Sequence, residues 1–422
     1  MKQLLQWFCF TVCAGALLHS CDNGYLEFEK ECYFQNDIQF LQALINKSQS
    51  NKNSPSSDLN PVKLGWQIWE NGRLVEFCSS PSTNTECKMD YVLSGSIPKE
   101  IGNLTQLRKL SLESNNYIGL IPKEIGELKN ITHLTLSKNQ LSGNIPSEIG
   151  KLESLEHLGL NSNTLYGNLP LEIKNLENLK WVYLASNNIS GKIPFAFGEM
   201  EGITYLNLSN NQFDGSIPPN LGNLSKLQYL NLSQNKLTGK IPSELGNINI
   251  FRLNLEFNQL SGEIPSELGN LINLVNLDLE SNKLSGHIPS SLGNLGKLVE
   301  IDLHNNQLSG TLPLTVNGWE SLEKLNVTNN HLSGKIPNQL GELTNLTSLN
   351  LSFNNFEGEI PEKLFRTEKL ETLLIHANNL SGIIPQEFCD VNNAIKILIY
   401  GNSFCPPYPH CIKFIGKQTC ED

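Results

Sequence analysis

The chain has 422 residues and a formal net charge of −11. This acidic balance argues against nucleic acid as a partner, because binding to phosphates requires clustered lysine and arginine. No phosphate loop, nucleophile elbow or metalloprotease motif occurs, so we expect neither a cofactor nor enzymatic activity.

The first twenty residues have the composition of a secretory signal peptide. The apolar run from Leu4 to Leu18 is short for a membrane span, and Ser20 stands at a suitable cleavage point. An uncleaved anchor is one alternative; a lipid-modified Cys21 is another, which the bulky His19 disfavours. No later stretch approaches 18 apolar residues, so we expect a secreted or surface protein with no further membrane span.

The cysteines that follow this segment lie only at the two ends of the chain. They are Cys21, Cys32, Cys78, Cys87, Cys389, Cys405, Cys411 and Cys420. An even number of cysteines in an exported chain indicates disulfide-closed caps, and a zinc site is disfavoured because no Cys-x-x-Cys pair occurs. Proximity in sequence predicts the pairs Cys21–Cys32, Cys78–Cys87, Cys405–Cys411 and Cys389–Cys420.

A motif ending in Ile-Pro or Leu-Pro recurs every 24 residues, from Pro98 to Pro385, with a single interval of 23 between Pro242 and Pro265. In one unit, leucines at a spacing of three predict a tight helical or 3₁₀ segment, and Leu230 and Leu232 share one face of a short strand. A unit cannot bury these leucines alone, whereas stacked units can. The repeat therefore predicts an α/β solenoid whose strands form one parallel sheet on its inner, concave face.

The same 24-residue period places an asparagine after each strand, where its amide should form hydrogen bonds with the backbone of the neighbouring turn.

We divide the chain into a signal peptide (1–20), an N-terminal cap (21–92), repeats (93–388) and a last repeat with the C-terminal cap (389–422). In the N-terminal cap, Asn36 or Asp37 should cap an amphipathic helix that carries Ile38, Leu41 and Leu44. The missing residue after Ile248 predicts a local irregularity opposite the strand.

The pattern LGNLSKLQYLNLSQNKLTGKIP closely resembles the plant-type class of extracellular leucine-rich repeats, over residues 93 to about 404. That class includes ectodomains of receptor-like kinases, receptor-like proteins and polygalacturonase-inhibiting proteins. The resemblance implies a right-handed, curved solenoid, an extra strand at each L-x-G-x-I-P, and ligand binding on the concave or lateral surface. The caps, notably CPPYPHC, resemble more those of secreted bacterial repeat proteins.

One solvent-facing column of the predicted sheet carries five consecutive rings: His133, His157, Trp181, Tyr205 and Tyr229. Tyr183 lies one strand position over, and Arg252 follows the last ring. Strand spacing of about 4.8 Å would stack these rings one per turn. We interpret them as a binding platform, since tyrosine and tryptophan are enriched at interaction hot spots. The alternative is that they only cover one another, and a metal site at the two histidines lacks further ligands.

A second group of solvent-facing side chains is acidic. It comprises Glu256, Asp278, Glu280, Glu300 and Asp302, with His304 beside them. Paired carboxylates about 5 Å apart serve glycoside hydrolysis, but adjacent solenoid turns produce that spacing automatically. Calcium binding and a solvated surface, or one facing a basic partner, are the other interpretations.

Eleven N-x-S/T sequons make the chain a candidate glycoprotein. The alternative is that many of them are by-products of the repeat consensus, which itself contains NLS and NLT. They begin at Asn46, Asn103, Asn130, Asn188, Asn207, Asn223, Asn231, Asn326, Asn345, Asn350 and Asn379.

The predicted function is recognition of a protein or peptide through the concave face. The resemblance offers inhibition of an extracellular glycan-degrading enzyme as an alternative. Adhesion to cell-wall glycan, with rings stacking on sugars, is a second alternative, and catalysis is the least favoured.

Overall fold

The computed structural model describes residues 21–50, 53–81, 91–386 and 396–420, together with Cys87, Met89 and Cys389. The predicted signal peptide lies outside these residues, and the domain boundaries given above remain predictions. Within the described part of the chain, no helix is both long and apolar enough to cross a bilayer.

Each repeat forms one turn of a solenoid with three sides. A three-residue strand adds to a main sheet, a second strand at L-x-G-x-I-P adds to a second sheet, and a 3₁₀ segment closes the turn after the proline. Strands in both sheets follow chain order, and neighbouring repeats pair in parallel. The predicted fold class, the extra strand and the tight helical segment are confirmed, and the segment is 3₁₀ in each repeat that the structure describes.

The main sheet contains Trp66–Glu70, Arg73–Cys78, Lys109–Ser111, His133–Thr135, His157–Gly159, Trp181–Tyr183, Tyr205–Asn207, Tyr229–Asn231, Arg252–Asn254, Asn276–Asp278, Glu300–Asp302, Lys324–Asn326, Ser348–Asn350, Thr372–Leu374 and Lys396–Leu398. The second sheet contains Ser94–Ser96, Asn116–Gly119, Gln140–Gly143, Thr164–Asn168, Asn188–Lys192, Gln212–Ser216, Lys236–Gly239, Gln259–Gly262, Lys283–Gly286, Gln307–Gly310, His331–Lys335, Asn355–Gly358, Asn379–Ile383 and Ser403–Cys405. The 3₁₀ segments are Pro61–Lys63, Lys99–Asn103, Lys123–Glu127, Ser147–Lys151, Leu171–Asn175, Phe195–Glu199, Pro219–Asn223, Ser243–Asn247, Ser266–Asn270, Ser290–Asn294, Leu314–Gly318, Asn338–Glu342 and Glu362–Arg366.

The repeated leucines and isoleucines fill one continuous core that runs the length of the solenoid. Larger side chains replace them in a few turns, and the largest of these is Trp319, which is fully buried. Its indole Nε1 donates a hydrogen bond to the Leu292 carbonyl oxygen at 2.7 Å. That bond satisfies the one polar group that the tryptophan brings into an apolar interior.

The repeated asparagines form a ladder inside the solenoid, as predicted. The Asn235 amide nitrogen donates to the carbonyl oxygens of Leu208, one turn earlier, at 3.0 Å and of Leu232 at 3.1 Å. Its side-chain oxygen accepts from the Phe213 backbone N–H at 2.9 Å. The side chain thus satisfies backbone groups that the strands leave unpaired where they end. The ladder comprises Asn115, Asn139, Asn163, Asn187, Asn211, Asn235, Asn258, Asn282, Asn306, Asn330, Asn354, Asn378 and Asn402.

The N-terminal cap begins with an antiparallel hairpin, Tyr25–Phe28 with Glu31–Phe34, followed by helix α1, Gln35–Lys47. The apolar face predicted for this helix is buried against the first repeats. The predicted cap was wrong, because Phe34 occupies that position and no side chain caps the helix. Asp37 is buried in the first turn instead, where it accepts hydrogen bonds from Arg73 at 2.9 Å and the Leu74 N–H at 2.8 Å.

Four disulfides close the caps, two of them as predicted: Cys21–Cys32 and Cys78–Cys87. The predicted C-terminal pairs were wrong, since the structure joins Cys389 to Cys411 and Cys405 to Cys420. Proximity in sequence fails here because the chain end folds back beside the last strand of the second sheet. The Thr419 N–H donates to the Asn402 carbonyl oxygen at 2.9 Å, which brings the end of the chain to Cys405.

The 23-residue repeat shows the predicted irregularity. At Ile248 the backbone has ψ 158, whereas the equivalent Leu224 has ψ 71. The strand that follows, Arg252–Asn254, keeps its three residues and its register against Tyr229–Asn231. The missing residue is therefore absorbed on the side of the solenoid away from the main sheet.

Candidate functional site

The main sheet presents one face to the interior and one to the outside, and we call the outer one the open face. In each strand the central residue is buried, and the residues before and after it form two columns on the open face. We call them the first and second columns. The first column joins His133, His157, Trp181, Tyr205, Tyr229 and Arg252 in the predicted register.

Five rings on the open face form a continuous series of contacts, which we call the aromatic stack: His133, His157, Tyr183, Tyr205 and Tyr229. Successive centroid distances are 5.7, 5.1, 4.5 and 4.2 Å. The rings of Tyr205 and Tyr229, the last pair, are nearly parallel, with an angle of 3° between their planes. The stack therefore covers most of its own ring faces and leaves ring edges toward solvent.

The expected stack through Trp181 was wrong in this detail. Tyr183, in the second column, contacts both His157 and Tyr205, whereas the Trp181 ring lies tilted beside His157 at 6.2 Å. Gly159 is the partner of Tyr183 in the adjacent strand, so no side chain occupies the second-column position beside His157. The Lys180 ammonium nitrogen lies 5.9 Å from the centroid of the Trp181 ring.

The stack is electrically neutral near pH 7. Burial lowers the pKa of His133 and of His157, so both imidazoles lose their charge more readily than usual. Burial and the neighbouring Tyr229 raise the pKa of Tyr205, which keeps its hydroxyl protonated. Partners of this surface therefore meet aromatic edges and hydroxyl groups rather than charges.

Next to Tyr229 the open face sinks into a depression of about 230 Å³, which we call the acidic hollow. Its lining includes Tyr229, Arg252, Asn254, Asn276, Asp278, Glu300 and Asp302. Three further residues of the predicted group adjoin the hollow, each two positions beyond the end of its strand: Glu256, Glu280 and His304. The structure thus brings the whole predicted acidic group together and joins it to the end of the aromatic stack.

Hydrogen bonds and ion pairs connect the hollow's side chains. The two nitrogens of His304 contact Glu280 at 2.9 Å and Asp302 at 2.6 Å, and Lys324 contacts Glu300 at 3.6 Å. Asp278 accepts from the Glu280 N–H at 3.2 Å but, among the described residues, has no cation within 4.0 Å.

These contacts shift the pKa values of the group. Burial, followed by the charges of Glu256 and Asp302, raises the pKa of Asp278 to about 7. Burial likewise raises the pKa of Glu280. The hydrogen bond to Asp302 raises the pKa of His304 and favours its charged form. Carboxylates that are costly to ionise in this way are stabilised by an approaching positive charge.

The hollow has the chemistry of a cation-binding surface. Carboxylate oxygens of Glu256, Asp278 and Glu280 lie within 4.8 Å of one another. The same holds for a carboxylate oxygen of Glu280, one of Asp302 and a ring nitrogen of His304. His304 already engages both of its nitrogens with carboxylates, so the second set is occupied by its own ion pairs.

Sequence reasoning missed a second aromatic group, near the C-terminal cap. Phe353, His376, Tyr400 and Phe414 contact one another in series, with centroids 5.1, 4.4 and 5.6 Å apart. His376 and Tyr400 belong to a column two residues beyond the second column, and this spacing could have revealed them.

Two sequons lie on the open face beside the stack. The Asn207 side-chain oxygen accepts from the Ser209 N–H at 3.1 Å, and the Asn231 amide nitrogen donates to the Tyr229 hydroxyl at 3.2 Å. A glycan on either asparagine would cover the tyrosine edges.

The fold and the caps together define a disulfide-closed solenoid built from short parallel-strand repeats. A family model described as leucine-rich repeat region matches residues 86–190 and 243–413, and a second, leucine rich repeat, matches residues 202–224 and 226–248. The chain belongs to the leucine-rich repeat family, in its plant-type form. No curated protein matches the chain with significance.

Solved structures of plant-type receptors are similar to this chain. The plant peptide hormone receptor RGFR1, in complex with RGF2, is 39% identical over 76% of this chain and 51% of its own, with a TM-score of 0.73. PEPR1, in a complex with AtPEP1, is 33% identical over 88% of this chain and 56% of its own, also with a TM-score of 0.73. A TDR receptor is 34% identical over 76% and 60% of the two chains, with a TM-score of 0.71. The chain thus spans between 51% and 60% of the length of these receptors.

Proposed function

We propose that this protein is a secreted or cell-surface binding protein that recognises a peptide across the aromatic stack and the acidic hollow. The observation that carries the proposal is the continuity of the two: five contacting rings end at Tyr229, which also lines the hollow. The receptors RGFR1 and PEPR1, which resemble this chain, support a peptide rather than another class of ligand.

The geometry of the stack argues for a peptide over a glycan. Sugars bind aromatic residues through the flat faces of the rings, and Tyr205 and Tyr229 cover each other's faces at 4.2 Å. What remains accessible is a row of ring edges and hydroxyls, which suits the mixed polar and apolar surface of a peptide. Neither glycan adhesion nor inhibition of a glycan-degrading enzyme gains support from the similar structures.

The test is selection of a random peptide library against the protein made in a host that does not glycosylate. We expect Tyr205→Ala and Tyr229→Ala each to weaken the selected peptides by at least about fivefold to tenfold, or about 1 kcal/mol. Tyr166→Ala is the matched control, because Tyr166 is 54% exposed but lies on the second sheet.

Wild-type affinity in both open-face variants would contradict the proposal. Loss of binding only on changing Asp278 and Asp302 would move the site to the acidic hollow alone. Production in a glycosylating host is a second comparison, since glycans at Asn207 and Asn231 would block the stack.

A further inference from the structure

The main sheet's open face has no partner within the described chain, and its two halves differ in charge. The aromatic stack is neutral, whereas the hollow brings together Glu256, Asp278, Glu280, Glu300 and Asp302. The nearby cations are Arg252, His304 and Lys324. Five carboxylates against three basic groups leave an excess of negative charge at one end of the proposed peptide site.

Within the hollow, this excess is concentrated at Asp278. His304 is engaged by Glu280 and Asp302, and Lys324 is engaged by Glu300. The remaining cation, Arg252, forms no ion pair within 4.0 Å among the described residues, although it lines the same hollow as Asp278. The half-buried Asp278 carboxyl group therefore lines the hollow without an ion-pair partner among the described residues, and burial raises its pKa, so an entering cation would favour its charged form.

The size of the hollow limits what can enter it. At about 230 Å³ it is smaller than the pockets that hold drug-sized ligands, which start near 300 Å³. One extended side chain fits such a volume better than a free small molecule. A lysine or arginine would bring an apolar stem toward the Tyr229 ring and a cationic head toward Asp278.

The register of the sheet fixes where that side chain must stand in the peptide. Tyr205–Asn207 and Asn276–Asp278 are separated by two intervening strands, Tyr229–Asn231 and Arg252–Asn254. Three strand spacings amount to about 14 Å, which an extended peptide covers in about four residues at about 3.3 Å each. Side chains four residues apart in an extended peptide point to the same side, so both can contact the open face.

We propose that the ligand is an extended peptide with a lysine or arginine docked beside Asp278 and Asp302, about four residues from an aromatic or apolar side chain at Tyr205. The proposal rests on the proposed function and names the chemistry of the partner. Specificity comes from charge complementarity in the hollow, and the stack supplies contact area.

The experiment uses three pools of synthetic octapeptides that carry phenylalanine at position 2 and differ only at position 6. Position 6 is arginine, its neutral analogue citrulline, or glutamate, and the other positions are randomised. Binding is measured to the intact wild-type protein, to Asp278→Asn and to Asp214→Asn. The last variant is the matched control, because Asp214 is an exposed carboxylate on the second sheet.

We expect the arginine pool to bind wild type about tenfold more tightly than the citrulline pool, and the glutamate pool to bind most weakly. Asp278→Asn should reduce the preference for arginine to less than about threefold, and Asp214→Asn should leave it unchanged. Arg252→Gln should increase the preference, since it removes a competing cation. Raising the salt concentration should decrease it by screening.

The outcomes separate the two proposals. Equal affinity for arginine and citrulline, with binding still lost in Tyr205→Ala, would overturn the cationic-ligand proposal and leave peptide binding intact. An arginine preference that survives Asp278→Asn would also overturn it. Failure of every pool to bind wild type would overturn both proposals.

Discussion

The interior ladder and the open face are produced by the same turns of chain, yet they use repetition in opposite ways. Along the ladder, the asparagine of every turn makes the same bond to the turn before it. Along the first column of the open face, rings give way to arginine, asparagine and glutamate within three turns. The difference teaches that repeated side chains hold neighbouring turns together, while side chains that depart from the repeat are available for recognition.

Trp319 is the largest exception to this division, because it departs from the repeat inside the core. We expect Trp319→Leu to lower the free energy of unfolding by about 2–4 kcal/mol, although leucine is the residue of the repeat pattern. The change empties a fully buried site and removes the 2.7 Å hydrogen bond to the Leu292 carbonyl oxygen.

Urea denaturation followed by circular dichroism measures this effect, with Tyr166→Leu as the exposed control on the second sheet. No loss of stability in Trp319→Leu would mean that the repeat pattern alone sets the packing of each turn.

The ladder itself can be tested at Asn235. We expect Asn235→Ala to destabilise the protein by about 1–3 kcal/mol, because the Leu208 carbonyl and the Phe213 N–H lose their partner. Hydrogen exchange of the Phe213 N–H should become faster as the urea midpoint falls.

The control for this change must be compatible with the local backbone conformation. Alanine at the exposed Asn210 is an unsuitable control, because Asn210 has φ 51, a left-handed conformation that alanine adopts at a cost. Asn210→Gly is therefore the better control, and we expect it to change stability by less than about 0.5 kcal/mol. Equal losses at positions 210 and 235 would show that the inward register is wrong.

The smallest expected effect is on the open face and has the opposite sign. The pKa of Asp278 is raised from 3.8 to about 7, so between these values the folded protein keeps a proton that the unfolded chain has released. Ionisation of Asp278 thus costs stability, increasingly from about pH 4 and fully above about pH 7. The charged and polar groups around it are Arg252, Asn254, Glu256, Asn276, Glu280, Glu300, Asp302 and His304.

We expect Asp278→Asn to stabilise the protein by about 1–2 kcal/mol at pH 8, after allowing for partial solvent screening. Relative to wild type, this gain should decrease as the pH falls and vanish near pH 4. Thermal denaturation at several pH values measures it. A gain that does not depend on pH would show that the aspartate side chain, not its charge, is responsible.

The repeat made most of the fold predictable, because a period of 24 residues specifies the strand, the ladder and the core positions of every turn at once. The columns of the open face followed from the same register, so the acidic group was found complete. The path of the aromatic stack was not predictable, since it depends on the Tyr183 ring leaning toward His157 in the neighbouring column. The caps have no period, and both C-terminal disulfides were assigned wrongly for that reason.

The 23-residue repeat, finally, bears on how such a protein can change over time. Its missing residue lies near Ile248, on the back of the solenoid, and the strands on either side remain in register. The loss of one residue on that side is therefore tolerated without moving any contact residue of the open face. Asn249, which is exposed between the buried Ile248 and Ile250, is in consequence the position at which a label would preserve the spacing between Tyr229 and Asp278.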